Sequence, residues 1–168
     1  MDVASLLLEL YGRIPPLAGE AVDGLDIDRL TEPPAPDANP IGWLVWHVAR
    51  VQDHHVAELL DTDQVWVTDG WAPRFGLAAD PSNTGYGHDP AEVAQVRPES
   101  PEALTGYLSA VQERTEKMLR DLAADDLDRV VDTRWDPPVT LGVRLVSVAD
   151  DGLQHLGQAA YTRGLLGW

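Results

Sequence analysis

Proline placement constrains this chain more than any other feature. Proline lacks a backbone donor and clashes with the preceding turn, so it is confined to helix starts, kinks and loops. Asn39-Pro40 and Ser100-Pro101-Glu102 each pair a capping residue with a first-turn proline. The first predicts a helix, NPIGWLVWHVARVQDHHVAELL, capped by Asn39 and running to about Leu60. The second predicts a helix to about Leu122, with Leu104, Leu108, Val111, Thr115 and Leu119 on one face. After Pro137 and Pro138 a further helix starts near Thr140 and continues to about Leu166. At the N-terminus, Leu6, Leu7, Leu10, Ile14, Leu17 and Ala21 recur at spacings of three and four. They predict one helix from about Asp2 to Leu25, kinked by Pro15 and Pro16.

Between these segments, 31–38 (TEPPAPDA) is too rich in proline to be helical. Residues 64–98 hold many Trp, Gly and Pro without a sustained period, which predicts a long structured loop with room for a helical turn. Residues 125–139 contain RVVDTRW, a candidate short extended piece. Four long helices with apolar stripes imply an all-α fold. The expected architecture is a four-helix bundle with its long loop between the second and third long helices. A chain of 168 residues suits a single domain over 1–168.

The charge balance narrows the partners. With 28 acidic against 12 basic residues, and Lys117 the only lysine, the net charge of -16 repels phosphate backbones and anionic lipid. No nucleic acid and no membrane are expected, and a small-molecule substrate is. There is no cysteine, so thiolate ligands and cysteine nucleophiles are excluded. The N-terminus is acidic and broken by proline, unlike a signal region, which predicts a cytoplasmic location. Arginine over lysine with abundant Ala, Gly, Asp and Pro is the bias of a GC-rich genome.

Asp151 and His155 stand at i and i+4 in the last predicted helix, so both side chains leave one face a turn apart. His47 lies midway along the second long helix in an otherwise apolar stretch and is expected to face the bundle interior. Two imidazoles and a carboxylate suit a divalent metal ion, with Zn or Ni foremost and Fe or Mn also accommodated. On the residues alone, a solvated Asp–His pair with a hydrogen-bonded core histidine explains the pattern equally well.

His54, seven residues after His47, falls on nearly the same face and is a weak catalytic candidate beside a blander reading as a half-buried surface residue. His55 is expected to point elsewhere, into solvent. His88, in GYGH, reads as a polar loop residue, with a place at the mouth of the site as the alternative. Trp43 and Trp46 read as core. Trp71, Arg74 and Phe75 form a mixed aromatic and basic group able to grip an anion.

The segments NPIGWLVWHVARVQDHHVAELL and DDGLQHLGQAAYTRGLL resemble the DinB-like superfamily, and within it the mycothiol-dependent maleylpyruvate isomerase and thiol-transferase branch. The family pattern is a histidine in the second long helix plus an acid or histidine four residues before the histidine of HxGQ. Here His47, Asp151 and His155 of His155-Leu156-Gly157-Gln158 match it. Many relatives carry three histidines; Asp151 in the middle position shifts preference toward harder ions.

The resemblance implies an actinobacterial, metal-dependent transferase that uses a low-molecular-weight thiol such as mycothiol as cosubstrate, in S-transfer or isomerisation of a small electrophile. It further implies a monomer or homodimer. The alternatives are a metal-dependent hydrolase using metal-bound water, a non-catalytic metal-binding stress protein, and a structural helical protein without metal.

Overall fold

A computed structural model describes all 168 residues. The N-terminal segment is two helices, α1 (Val3–Tyr11) and α2 (Ile14–Val22), where one kinked helix was expected. The break falls at Gly12–Arg13, just before the prolines. Pro15 and Pro16 then occupy the first turn of α2, where backbone donors have no intrahelical partner and their absence costs nothing. A short α3 (Ile27–Thr31) follows, capped by Asp26, whose carboxylate accepts from the Arg29 amide at 2.9 Å. Sequence periodicity is too brief there to have predicted it.

The second long helix, α4 (Ile41–Leu60), is capped by Pro40 in extended conformation; its carbonyl accepts from the Leu44 amide at 3.0 Å. The cap is therefore one residue later than Asn39. In the connection that follows lie α5 (Val65–Thr68), a 3-10 turn over Ala72–Phe75 and α6 (Pro90–Val93). The third long helix is α7 (Pro101–Arg120), with the Ser100 hydroxyl accepting from the Ala103 amide. Another 3-10 turn, Ala124–Asp128, leads into a hairpin of β1 (Val130–Asp132) and β2 (Val139–Thr140). Val130 pairs with Thr140 and Asp132 with Val139, antiparallel. Thr140 then caps α8 (Leu141–Leu166), as expected.

The helices α1 and α2 together fill one position of a four-helix bundle and α4, α7 and α8 fill the others. Helix α4 packs against both α7 and α8, and α2 closes the opposite side. A single core cluster of 33 buried apolar residues, with Trp46, Trp66, Tyr107 and Phe75 among them, runs through the bundle and under the long connection. No helix is long and apolar enough to cross a membrane.

The connection from α4 to α7 is held by charged groups on α4. Arg50 and Asp53 are both 0% exposed. Arg50 donates to the carbonyls of Asn83 (2.9 Å) and Pro81 (3.2 Å) and to the Tyr107 hydroxyl (3.0 Å), and its guanidinium lies over the Trp66 ring. The Asp53 carboxylate accepts from the amides of Val65 (3.0 Å) and Trp66 (2.8 Å) at the start of α5 and from Tyr107 (2.8 Å). Two buried charges 3.5 Å apart thus neutralise each other while satisfying backbone groups that no regular structure serves.

Candidate metal centre

His47 sits in the middle of α4, 5% exposed, because the surrounding Trp43, Leu44, Val48 and Val51 stripe turns that face toward α8. Trp43, one turn earlier, stacks on its imidazole with centroids 4.7 Å apart and planes 10° from parallel. Helix α8 runs antiparallel to α4, so that His47 faces Asp151 while His55, two turns later, faces Arg144. His47 Nε2 lies 3.9 Å from Asp151 Oδ2, His155 Nδ1 lies 3.6 Å from Asp151 Oδ1, and the two imidazole centroids are 4.7 Å apart. One ligand atom from each of the three residues falls within 4.8 Å of the others. Donors about 2.0–2.1 Å from one tetrahedral ion lie roughly 3.3 Å apart, so small side-chain adjustments close the set.

Hydrogen bonding fixes which imidazole nitrogens are free. His47 Nδ1 lies 2.6 Å from the Thr84 carbonyl and His155 Nδ1 lies 2.8 Å from the Asp151 carbonyl. A carbonyl only accepts, so both Nδ1 atoms carry the proton and both Nε2 atoms keep a lone pair. This is the arrangement in which a backbone carbonyl orients a metal-ligating imidazole. Asp151 Oδ2 is buried with no hydrogen-bond partner. An unpaired buried carboxylate oxygen is costly, and a cation beside it removes that cost. Burial pushes the His47 imidazole below its ordinary pKa, while the Thr84 carbonyl and the Asp151 carboxylate pull it partly back. His47 is thereby kept in the neutral, ligating form.

Thr84 reaches His47 because of Gly85. Its φ is +90°, and a Cβ there would lie 2.8 Å from His47 Nδ1 and 2.9 Å from the Trp46 ring. Only glycine permits both the backbone conformation and the approach. The signal for this contact was present in NTGYGH, but sequence alone did not identify its partner.

A cavity of about 370 Å³ opens beside the triad, lined by His47 and Asp151, Val51 and Val148, His54 and His55, and capped by Thr84 and Tyr86. His55 is half-buried on this cavity and not free in solvent as expected. His54 also lines it. His88 is an anchor of the long loop: its Nδ1 accepts from Trp43 Nε1 at 3.2 Å and its Nε2 lies 2.9 Å from Asn83 Oδ1. Arg74 is neutralised by Glu99 at 2.6 Å and Phe75 is buried, so that aromatic and basic group is committed to packing. A larger depression of about 860 Å³, bordered by Gly19, Asp26, Glu102 and Arg163, is shallow and has no imidazole.

The DinB superfamily model matches residues 16–159, which include His47, Asp151 and His155. The chain belongs to the DinB superfamily. A conserved protein from Enterococcus faecalis is 34% identical, with a TM-score of 0.89 over 98% of this chain and 97% of that one. YfiT from Bacillus subtilis, described as a probable metal-dependent hydrolase with an unusual four-helix bundle topology, shares the fold. Its TM-score is 0.71 at 15% identity, covering 98% of this chain and 88% of YfiT. No curated protein matches the sequence. This DinB-superfamily chain therefore carries His47, Asp151 and His155 on a YfiT-like bundle.

Proposed function

We propose that this protein is a divalent-metal-dependent hydrolase whose ion is held by His47, Asp151 and His155. The observation that carries the reading is that His47 and His155, each with its Nδ1 proton held by a backbone carbonyl, lie against Asp151, whose Oδ2 is buried and unpartnered. Zn or Ni fits two nitrogens and one oxygen best, and Fe or Mn is compatible. When bound, such an ion supplies Lewis acidity that makes water a nucleophile near neutral pH. The protein's part is to hold His47 and His155 in the ligating tautomer, to place one negative charge at Asp151, and to leave the cavity as the approach for substrate. That open approach favours catalysis over a closed, purely binding site. The description of YfiT supports the choice of hydrolysis.

Thiol transfer, implied by the resemblance to the mycothiol-dependent branch, would use the same three ligands with a different guest. The test begins with protein purified without a histidine tag or added metal. Elemental analysis should find near-stoichiometric Zn, Ni, Fe or Mn in the wild type and little in His155→Ala. The metal-loaded protein is then assayed on ester and amide panels with and without an added thiol. Thiol-independent turnover supports hydrolysis, and strictly thiol-dependent turnover overturns it in favour of transfer. A folded wild type that binds none of these ions refutes both.

A further inference from the structure

The cavity beside the triad has three walls. Helix α4 contributes His47 and Val51, α8 contributes Val148 and Asp151, and the long connection contributes Thr84 and Tyr86. Tyr86 is 91% exposed. A single exposed aromatic means nothing by itself. This one is set apart by its place at the mouth of the site and by the way its backbone is held. The turn Gly85–His88 is closed by the His88 amide, which donates to the Gly85 carbonyl at 3.2 Å. Tyr86 is its second residue and Gly87, with φ +76°, its third. A positive φ at that position costs glycine little, and the turn carries the tyrosine at its tip.

Both ends of the turn are tied to the helix that bears His47. On the near side, the Asn83 carbonyl accepts from Arg50 at 2.9 Å and the Thr84 carbonyl accepts from His47 at 2.6 Å. At the far end, His88 accepts from Trp43 at 3.2 Å. Arg50, His47 and Trp43 all belong to α4. Tyr86 stands two residues after the carbonyl that orients His47, so its backbone is fixed relative to the site. Its ring, almost wholly in water, turns only about its own side-chain bonds.

We infer that Tyr86 is a substrate-binding residue whose ring closes over the group next to the reacting bond and holds it against Val51 and Val148. The inference rests on the hydrolase reading and adds the substrate class: an ester or amide with an uncharged, apolar acyl group, aromatic ones being held best. Val51 and Val148 make the wall between α4 and α8 apolar. No lysine or arginine lines the cavity, so an acyl group bearing a carboxylate gains nothing there. Covering the tyrosine ring and the two valines with a guest is favourable in proportion to the apolar area taken from water, and an aromatic guest adds the preference of one ring for another.

Hydroxamates chelate a metal through their head group and serve as probes on the zinc-loaded protein. Acetohydroxamate occupies the ion alone, and benzohydroxamate adds an apolar ring beside it. Calorimetry should find benzohydroxamate about tenfold tighter in the wild type. Tyr86→Ala should lower that preference by about three- to tenfold, and Tyr86→Phe should keep it. Acetohydroxamate should bind all three proteins alike. Thermal melting checks that both variants are folded, and Tyr86→Ser repeats the comparison if alanine is not tolerated.

Equal affinity for the two probes in the wild type, or a preference that survives Tyr86→Ala, overturns the inference. A preference lost equally in Tyr86→Phe also overturns it, since the hydroxyl and not the ring would then hold the guest. So does a matching loss of acetohydroxamate affinity in Tyr86→Ala, since the turn would then act through His47. Each of these results leaves the bound metal, and with it the hydrolase reading, in place. A folded wild type that takes up no metal overturns both.

Discussion

The Nδ1–H of His47 donates to the carbonyl of Thr84 at 2.6 Å, across 37 residues of chain. A ligand on a rigid helix is thereby oriented by the backbone of the long connection, and Gly85 is what lets that backbone come close. Gly85→Ala places a methyl group against His47 and Trp46 at a positive φ. Zinc affinity should fall by about 10–100-fold, the usual cost of losing an outer-shell partner. A chelator-competition titration measures this, and unchanged affinity would show that Thr84 does not orient the ligand.

Asp151→Asn separates ligation from folding. The carboxylate oxygen it alters has no partner in the protein, so the metal-free variant should melt within about 1 kcal/mol of wild type. The stabilisation that added zinc gives the wild type should be absent from the variant. Calorimetric melts with and without zinc check both expectations. A large loss of stability in the metal-free state would instead make Asp151 a structural residue.

Arg50→Met leaves Asp53 as an uncompensated buried charge and frees the Pro81 and Asn83 carbonyls. Breaking such a pair from one side costs about 3–5 kcal/mol. The double variant Arg50→Met/Asp53→Leu should cost less than the sum of the singles, because the pair acts as a unit. Urea unfolding of the four proteins gives the coupling; strict additivity would contradict the pairing.

The pH dependence of metal-free stability follows from His55. Burial, with Arg144 and His54 nearby, lowers its pKa from 6.5 to about 4. Between those values the unfolded chain binds the proton and the folded chain does not, so stability rises with pH. The contribution is complete above about pH 6.5 and is lost as pH falls toward 4. The loss is on the order of 2–3 kcal/mol. Denaturant midpoints across this window should be flatter in His55→Leu than in the wild type. An equal slope in both proteins would place the effect elsewhere.

Much of this was legible in the sequence, for identifiable reasons. Ser100 announced α7 because a side-chain cap is local chemistry, and the start of α8 near Thr140 was legible from the prolines just before it. Asp151 and His155 were legible because helical periodicity puts i and i+4 on one face. The break between α1 and α2 was misplaced because Pro15 and Pro16 look like a kink when they are in fact a helix start. The role of the long connection was not legible. The bonds of Arg50 to Pro81 and Asn83, and the cap that Asp53 gives α5, depend on tertiary proximity, and no local pattern encodes it. His55 was misread for a related reason: its burial comes from Arg144 and the cavity wall of α8, which the periodicity of α4 alone does not contain.

The anchoring of that connection by Arg50 and Asp53 also governs how the molecule comes apart. Peeling the segment away would strand two charges inside the bundle and release the carbonyl that orients His47. Its opening therefore uncovers buried charge as well as apolar surface. The connection and the three-residue site are thus coupled through Arg50, Asp53 and the Thr84 carbonyl.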